Sequence, residues 1–155
     1  MYLARETRYA IQALIELAGR PGRLVESREL ATAAGVPAPF LAKALQALAR
    51  AGVLASVRGG GYALARPPAQ IRLSEIVGAI EGRRPFGTRE CIFWRTECSE
   101  DAPCVLHWRW RELRPALERR VGDTTLEEIV RRAGDGALGP PRRPRGPGAA
   151  PPPPS

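Results

Sequence analysis

All three cysteines and the single histidine of this 155-residue chain fall within one 17-residue stretch. They are Cys91, Cys98, Cys104 and His107. Thiolates and neutral imidazoles are the ligands with which proteins hold zinc and iron–sulfur clusters. In a reducing compartment, clustered cysteines bind metal or act in redox chemistry more often than they form structural disulfides. The spacing therefore predicts a metal site, and a redox-active disulfide among the three cysteines is the alternative.

The sequence argues against a membrane protein and against an enzyme. No apolar run approaches the ~18 residues of a membrane span, and residues 1–6 carry charge where a secretory signal would be apolar. We therefore expect a cytoplasmic protein with no membrane partner. The sequence has no Gly-rich phosphate loop and no cofactor fingerprint. A thiolate–imidazole pair formed by Cys104 and His107 is the remaining catalytic candidate, and it is a weak one.

The chain is strongly basic, with a formal net charge of +8. Residues 134–155 contribute +2 of this charge and hold eight of the 16 prolines, so they bury too little apolar surface to fold. We expect this tail to be disordered. The remaining +6 lies on residues 1–133, and a basic folded body favours a polyanionic partner such as nucleic acid.

Apolar residues at helical spacing predict three helices in the first 52 residues. The first begins near Leu3 and ends at Gly19, and the second covers residues 28–34. The third starts at the prolines at positions 37 and 39, which a first helical turn tolerates. Its predicted core-facing stripe consists of Phe40, Leu41, Ala44, Leu45 and Leu48.

Two strand-like segments follow, over residues 53–57 and 62–65. They flank Arg58-Gly59-Gly60-Gly61, where glycines permit positive φ and a tight hairpin. A helix, a helix-turn-helix and a β-hairpin, in this order, are typical of a winged helix. Residues 1–66 are therefore predicted to form a winged helix-turn-helix DNA-binding domain.

In such a domain the second helix of the pair enters the major groove, and the wing reaches the adjacent backbone or minor groove. Opposite the apolar stripe, Lys43 and Gln46 offer donors suited to guanine and adenine edges. Arg58 at the hairpin tip suits phosphate or a narrow minor groove. The predicted DNA-binding residues are Ala38, Lys43, Gln46, Arg50, Arg58, Gly59 and Gly60.

The second half of the chain carries the cysteines between helices. A short helix is predicted over residues 73–80, and no periodicity follows from about residue 83 to residue 103. Residues 67–103 thus form a connecting helix and a cysteine-bearing loop. On a helix beginning at Cys104, Cys104 and His107 would share one face and could reach the same iron or zinc.

The helix from Cys104 to about Val121 is the predicted dimerisation element. Its large apolar residues exceed what one small core can bury, which favours an isologous homodimer. A last helix, with Thr125 and Glu128 as a capping box, ends the folded part, so that residues 104–133 form the dimerisation and C-terminal helices. The expected fold class is mainly α with a small β-hairpin, a winged helix-turn-helix followed by a long dimerisation helix.

With these elements in place, residues 1–133 resemble the Rrf2 family of bacterial winged-helix transcription regulators. The three-cysteine loop is one mark of the resemblance. The other matching motifs, in chain order, are Arg8-Tyr9-Ala10, Gly52-Val53-Leu54-Ala55-Ser56-Val57-Arg58-Gly59, Gly60-Gly61-Tyr62-Ala63-Leu64, Cys104-Val105-Leu106-His107 and Thr125-Leu126. Together these motifs are specific for the family, whereas any one alone would be weak.

The resemblance implies a homodimeric repressor that binds palindromic double-stranded operators and senses iron–sulfur status, redox or nitric oxide. In cysteine-bearing members the three thiolates hold an iron–sulfur cluster, and we expect a two-iron rather than a four-iron cluster here. The branch that regulates cluster biogenesis completes the ligands with a histidine three residues past the third cysteine, which is His107 in this chain. The nitric-oxide-sensing branch uses a carboxylate of the partner's first helix at the position of Arg8, and arginine cannot ligate iron.

Three features depart from the family pattern. Six residues rather than the usual five separate Cys91 from Cys98, and the wing is about two residues shorter. Pro115 lies inside the dimer helix, where a proline removes a hydrogen bond and bends the axis. The alternatives to a cluster-bearing sensor are a zinc-stabilised or cluster-free regulator of the same fold and a thiol–disulfide switch.

Overall fold

The computed structural model describes residues 3–82, residue 91 and residues 99–134. The elements in chain order are α1 (Arg5–Ala18), α2 (Ser27–Ala34), α3 (Ala38–Arg50), β1 (Leu54–Val57), β2 (Gly61–Leu64), a 3₁₀ turn (Pro68–Gln70), α4 (Leu73–Glu81), α5 (His107–Gly122) and α6 (Leu126–Gly134). The expected fold class, mainly helical with a hairpin wing, is confirmed. Cys98 lies outside the described residues. So does the tail predicted to be disordered, from residue 135 onward.

The first three helices pack into one core because each buries a stripe of side chains that recurs every three or four positions. In α3 this stripe consists of Leu41, Ala44, Leu45 and Leu48. The sequence predicts Phe40 in the same stripe, but its side chain is 50% exposed. That prediction is wrong, because Phe40 lies at the edge of the stripe on the first turn of α3.

The wing is an antiparallel hairpin in which Leu54 pairs with Leu64 and Val57 pairs with Gly61. The first strand begins one residue later than predicted, at Leu54, and the second begins and ends one residue earlier, at Gly61 and Leu64. Gly61 therefore belongs to β2 rather than to the turn. On its other side β2 pairs with the segment that enters α2. There the N–H groups of Val25 and Tyr62 each donate to the other's carbonyl at 2.9 Å. The wing is therefore tied to the helix-turn-helix.

The last helix returns to the first four and completes their core. Leu126 of α6 has no exposed surface and lies in the same apolar cluster as Ile71 and α1. The N–H of Leu73 donates to the carbonyl of Thr124, and the N–H of Leu126 donates to the carbonyl of Ile71, both at 2.8 Å. We call the unit formed by α1–α4, the wing and α6 the head.

Hydrogen-bonded carboxylates fix the starts of α4 and α6. The predicted capping box is present, since Glu128 N–H donates to the Thr125 hydroxyl at 3.2 Å and Thr125 N–H donates to the Glu128 carboxylate at 2.9 Å. The latter hydrogen bond lowers the pKa of Glu128. In α4, Glu75 accepts from the guanidinium of Arg66 at 2.5 Å and from the N–H of Arg72 at 3.0 Å. Burial raises the pKa of Glu75, but these hydrogen bonds outweigh burial and hold it below its ordinary value.

The fifth helix begins at His107, three residues later than predicted, and continues through Pro115 to Gly122. Cys104 therefore lies in the turn before α5 and not on the helix, which corrects the predicted helix start. The turn still holds the two residues together, because the N–H of His107 donates to the carbonyl of Cys104 at 3.0 Å. Within the described ranges, no helix is long and apolar enough to cross a membrane.

Candidate functional site

The outer face of α3 presents polar side chains to solvent. Lys43, Gln46 and Arg50 are exposed, as is Ala38 at the start of the helix. Burial of the apolar stripe on the opposite side fixes this orientation, because rotating the helix would expose the leucines. The face is thus available to a groove, as the sequence predicts, and its contact with bases stays a prediction.

A tight turn places Arg58 at the tip of the wing. The N–H of Gly60 donates to the carbonyl of Val57 at 2.9 Å, which closes the turn around Arg58 and Gly59. Gly59 has a φ of 75°, and a positive φ at the third residue of a turn favours glycine. Arg58 and Gly59 are exposed and Gly60 is partly exposed, so the tip is open to a ligand.

Two concavities lie between the wing and the helices. The larger, about 540 Å³ in volume, is lined by Glu26, Ser27, Ser56, Val57, Arg58, Gly59, Gly61 and Tyr62. The smaller, about 280 Å³, is lined by Gln46, Ala49, Arg50, Ser56 and Tyr62. Ser27, Ser56 and Tyr62 are missing from the predicted site. The signal that would have found Ser56 and Tyr62 is the hairpin register, which pairs them across the wing.

The cations of this surface carry no ion pair within the part of the chain that the structure describes. Arg20 and Arg66 each contact a glutamate, whereas Lys43, Arg50 and Arg58 have no carboxylate partner among the described residues. A phosphate group would therefore meet positive charge without displacing an existing ion pair. This is the electrostatic condition for positioning contacts to a DNA backbone.

Cys91 and Cys104 lie together, with their Sγ atoms 3.3 Å apart. This separation exceeds the ~2.05 Å of a disulfide bond, but it suits two thiolates that share a metal centre or that oxidise after a small shift. His107 is 3% exposed. Its ring packs edge-on against the indole of Trp108, with the ring centroids 4.8 Å apart. The structure thus brings the sulfurs of two of the four predicted ligands, Cys91 and Cys104, together.

This donor set fits a soft metal centre. Sulfur and imidazole ligands favour iron–sulfur clusters or zinc over magnesium or calcium. Cys98, the remaining predicted ligand, lies outside the described residues. Among the residues that the structure does describe, no group of three or more Cys, His, Asp or Glu side chains surrounds one point. Ligation by all four residues therefore stays a prediction.

Large apolar side chains on α5 and in the turn before it face solvent. Val105 is 86% exposed, Trp108 61% and Leu113 60%, with Leu106 and Leu117 also exposed. Val121, which the sequence groups with them, packs instead against the head. Exposed apolar side chains in this number indicate an interaction site. They lie on and just before the helix predicted for dimerisation, and pairing itself stays a prediction.

A three-helix core and a hairpin wing anchored beside the second helix define a winged helix-turn-helix DNA-binding protein. Its cations on α3 and the wing have no carboxylate partner among the residues that the structure describes. The chain belongs to the Rrf2 family, described as an iron-dependent transcriptional regulator, whose family profile matches residues 3–132. The resemblance inferred from the sequence is thereby confirmed. The protein is a DNA-binding transcription regulator and not an enzyme.

Named relatives and solved structures agree with this assignment. A protein of Aquifex aeolicus named as an HTH-type transcriptional regulator is 34% identical over 134 residues, which cover 84% of this chain and 92% of the relative. The structure of CymR, the global cysteine regulator of B. subtilis, matches with a TM-score of 0.69 at 26% identity over 84% of this chain and 97% of CymR. The structure of T. potens IscR matches with a TM-score of 0.64 at 25% identity over 90% of this chain and 93% of IscR.

Proposed function

We propose that this regulator represses transcription from palindromic operators and that its operator binding depends on an iron–sulfur cluster held by Cys91, Cys98, Cys104 and His107. The observation that carries the proposal is the contact between the Cys91 and Cys104 thiols. His107 is buried, and its backbone N–H donates to the carbonyl of Cys104. The description of the family as an iron-dependent regulator supports it.

The described ligands lie before α5 or at its start. Cys91 precedes the turn that leads into α5, Cys104 lies in this turn, and His107 is the first residue of α5. Cys98 lies outside the described residues. A cluster supplies reversible redox and ligand exchange, and a histidine ligand leaves a two-iron cluster less negative and raises its potential. Burial of the His107 ring keeps water from this ligand. Because α5 starts at His107, the state of the ligands acts directly on the start of the dimerisation helix.

In the proposed DNA complex, α3 lies in the major groove and the wing follows the adjacent backbone or minor groove. Lys43 and Gln46 read base edges, and Arg58 provides the strongest wing contact. The absence of ion pairs at Lys43 and Arg58 in the described part of the chain supports these roles. The full proposed contact set is Ala38, Lys43, Gln46, Arg50, Arg58, Gly59 and Gly60.

The proposed active form is a homodimer joined through α5. A palindromic operator is read by two heads related by a two-fold axis, so the protein needs an isologous interface. Trp108, Leu113 and Leu117 supply exposed apolar surface on α5 for such an interface. In the dimer, the α5 helix of each protomer would cover the apolar side chains of its partner's α5, which are exposed to solvent in a single chain.

Anaerobic purification from iron-replete cells tests the proposed ligands. We expect visible absorbance with stoichiometric iron and sulfide in the wild-type protein, and loss of both in Cys91→Ala, Cys98→Ala and Cys104→Ala. The His107→Ala variant should hold a labile or spectrally altered cluster, and Ser99→Ala serves as the matched control in the same region. A colourless wild-type protein with stoichiometric zinc would establish the zinc-stabilised regulator instead.

A thiol–disulfide switch is a second candidate, favoured by the same 3.3 Å separation. Oxidation by a peroxide would join Cys91 to Cys104, with two electrons passing to the peroxide as it is reduced to water. The likeness to CymR, a cysteine regulator, supports this option. In iron-free protein, operator affinity should then change on oxidation and return with reductant, and mass spectrometry should find the Cys91–Cys104 linkage. A response that requires iron would instead favour the cluster.

A further inference from the structure

We propose that Gly61 is a positioning residue for DNA binding, because it lets β2 approach the backbone of Val25 and so holds Arg58 beside the start of α2. The inference rests on the proposed wing contact of Arg58. It assigns a role to a residue that itself offers no group to DNA.

The backbone of Gly61 lies so close to the backbone of Val25 and Glu26 that no residue with a side chain fits at this position. A Cβ atom built on Gly61 would lie less than 3.0 Å from three backbone atoms, the carbonyl oxygen and carbon of Val25 and the nitrogen of Glu26. These atoms belong to the main chain and cannot turn aside as a flexible side chain can. Gly61 also has a φ of 100°, which side-chain-bearing residues rarely adopt.

The approach gives the wing a second anchor. Val25 and Tyr62 exchange two backbone hydrogen bonds of 2.9 Å, so β2 is paired on both of its edges, with β1 and with Val25. Val25 is fully buried in the core, which makes it a fixed point. A two-stranded hairpin alone is marginally stable in water, so this anchor determines where the tip lies. Arg58 and Ser27 consequently line the same 540 Å³ concavity.

Another glycine of the wing region differs from Gly61 and provides a matched control. Gly52, at the other end of β1, also has a positive φ, of 75°, but a Cβ there would meet nothing within 4 Å. An alanine at Gly52 therefore costs backbone strain without a collision.

Operator titrations of the full-length protein test the proposal. Gly61→Ala should weaken binding roughly ten-fold or more and lower the salt dependence by about one phosphate contact. Gly52→Ala should bind with wild-type affinity. Wild-type affinity in Gly61→Ala, or an equal loss in Gly52→Ala, would overturn the proposal.

Coupling between Gly61 and Arg58 separates positioning from a general loss of folding. Arg58→Ala should weaken operator binding in the wild-type background and have little further effect in the Gly61→Ala background. Additive losses would overturn the positioning role while leaving the wing contact intact. If Arg58→Ala has no effect even in the wild-type background, the wing contact fails and the positioning role fails with it.

Amide hydrogen exchange in the wild-type protein gives a measurement that needs no folded variant. The amides of Val25 and Tyr62 should exchange as slowly as those of Leu14 in the core of α1, because they open only when the head unfolds. Fast exchange at Val25 and Tyr62, with slow exchange at Leu14, would show a wing that detaches on its own and would overturn the proposal.

Discussion

In the head, α1 and α3 each bury a complete apolar stripe, and Leu14 and Leu45 have no exposed surface. In α5, which is of similar length, the buried residues are His107 and Gly122, and Leu113 is 60% exposed. Helices α1 and α3 pack against other elements of this chain, whereas most of the apolar surface of α5 does not. The head therefore fills its own core, whereas α5 leaves apolar side chains in solvent that, in the proposed dimer, a second copy would cover.

The largest effect is expected from a cavity in the head. Leu45→Ala should lower the free energy of unfolding by about 2–5 kcal/mol, because it removes a fully buried side chain. Denaturant unfolding of dilute protein measures this change. Leu113→Ala is the matched control on α5 and should cost much less, since its side chain is already in water. Equal losses would contradict the difference drawn between the head and α5.

A large effect on assembly is expected from the exposed face of α5. Trp108→Ala should raise the dimer dissociation constant ten-fold or more, since a buried tryptophan is a typical interface anchor worth about 2 kcal/mol or more. Sedimentation velocity measures the association, and circular dichroism checks that the head keeps its fold. Arg109→Ala, an exposed neighbour, should leave association unchanged. A wild-type protein that is monomeric at micromolar concentration would refute dimerisation through α5.

A smaller effect, confined to DNA binding, is expected at the wing. Arg58→Ala should weaken operator binding by about 1–3 kcal/mol if the guanidinium reaches a base or groove, and by less if it contacts phosphate alone. A salt titration distinguishes these cases, because loss of one phosphate contact lowers the slope by about 0.9. Arg119→Ala removes the same charge from exposed α5 and should leave affinity unchanged. Identical affinities of Arg58→Ala and wild type would remove the wing from DNA recognition.

The smallest effect is a pH dependence of the head's stability. The folded pKa of Glu75 lies below its ordinary value of 4.5, so its stabilising contribution is present above that value and disappears as pH falls through the folded pKa. Thermal melts of wild type and Glu75→Gln should therefore differ at neutral pH and converge below about pH 4.5. Glu112→Gln, in the exposed pair with Arg109, should show no such convergence. A constant gap across the acid range would contradict the role of Glu75.

The helices of the head could be predicted from the sequence because burial imposes a period on the residues that fill a core. The stripe at Leu41, Ala44, Leu45 and Leu48 is of this kind. The sequence pattern misplaces Phe40, because an apolar residue at the edge of a stripe gives the same pattern whether its side chain is covered or not. The sequence pattern also places Gly61 in the turn, because strand register depends on pairing across the hairpin, which the local sequence does not fix.

In the cysteine region, the residue types predict the kind of chemistry but not the positions of the side chains. Thiols and an imidazole in one short stretch indicate the chemistry of a metal site, but an aperiodic segment carries no information on distance. The 3.3 Å separation of the Cys91 and Cys104 sulfurs depends on the tertiary course of the chain. The sequence pattern also places the start of α5 at Cys104 rather than at His107, because the residues of the turn before a helix and those of its first turn show similar spacing of apolar side chains.

The chain leaves the head after α4 and returns to it at Leu126. Backbone hydrogen bonds of 2.8 Å, from Leu73 N–H to the carbonyl of Thr124 and from Leu126 N–H to the carbonyl of Ile71, fasten the start of α4 beside the start of α6. In topological terms, the cysteine region and α5 form an insertion within the head rather than a domain appended to it. Residues can be added to or removed from such a loop without shifting the register of the elements that it interrupts. We therefore expect that a change of loop length between Cys91 and Cys98 would leave the outer face of α3 and the wing unaltered, so that the proposed DNA contacts and the proposed sensing chemistry could diverge separately.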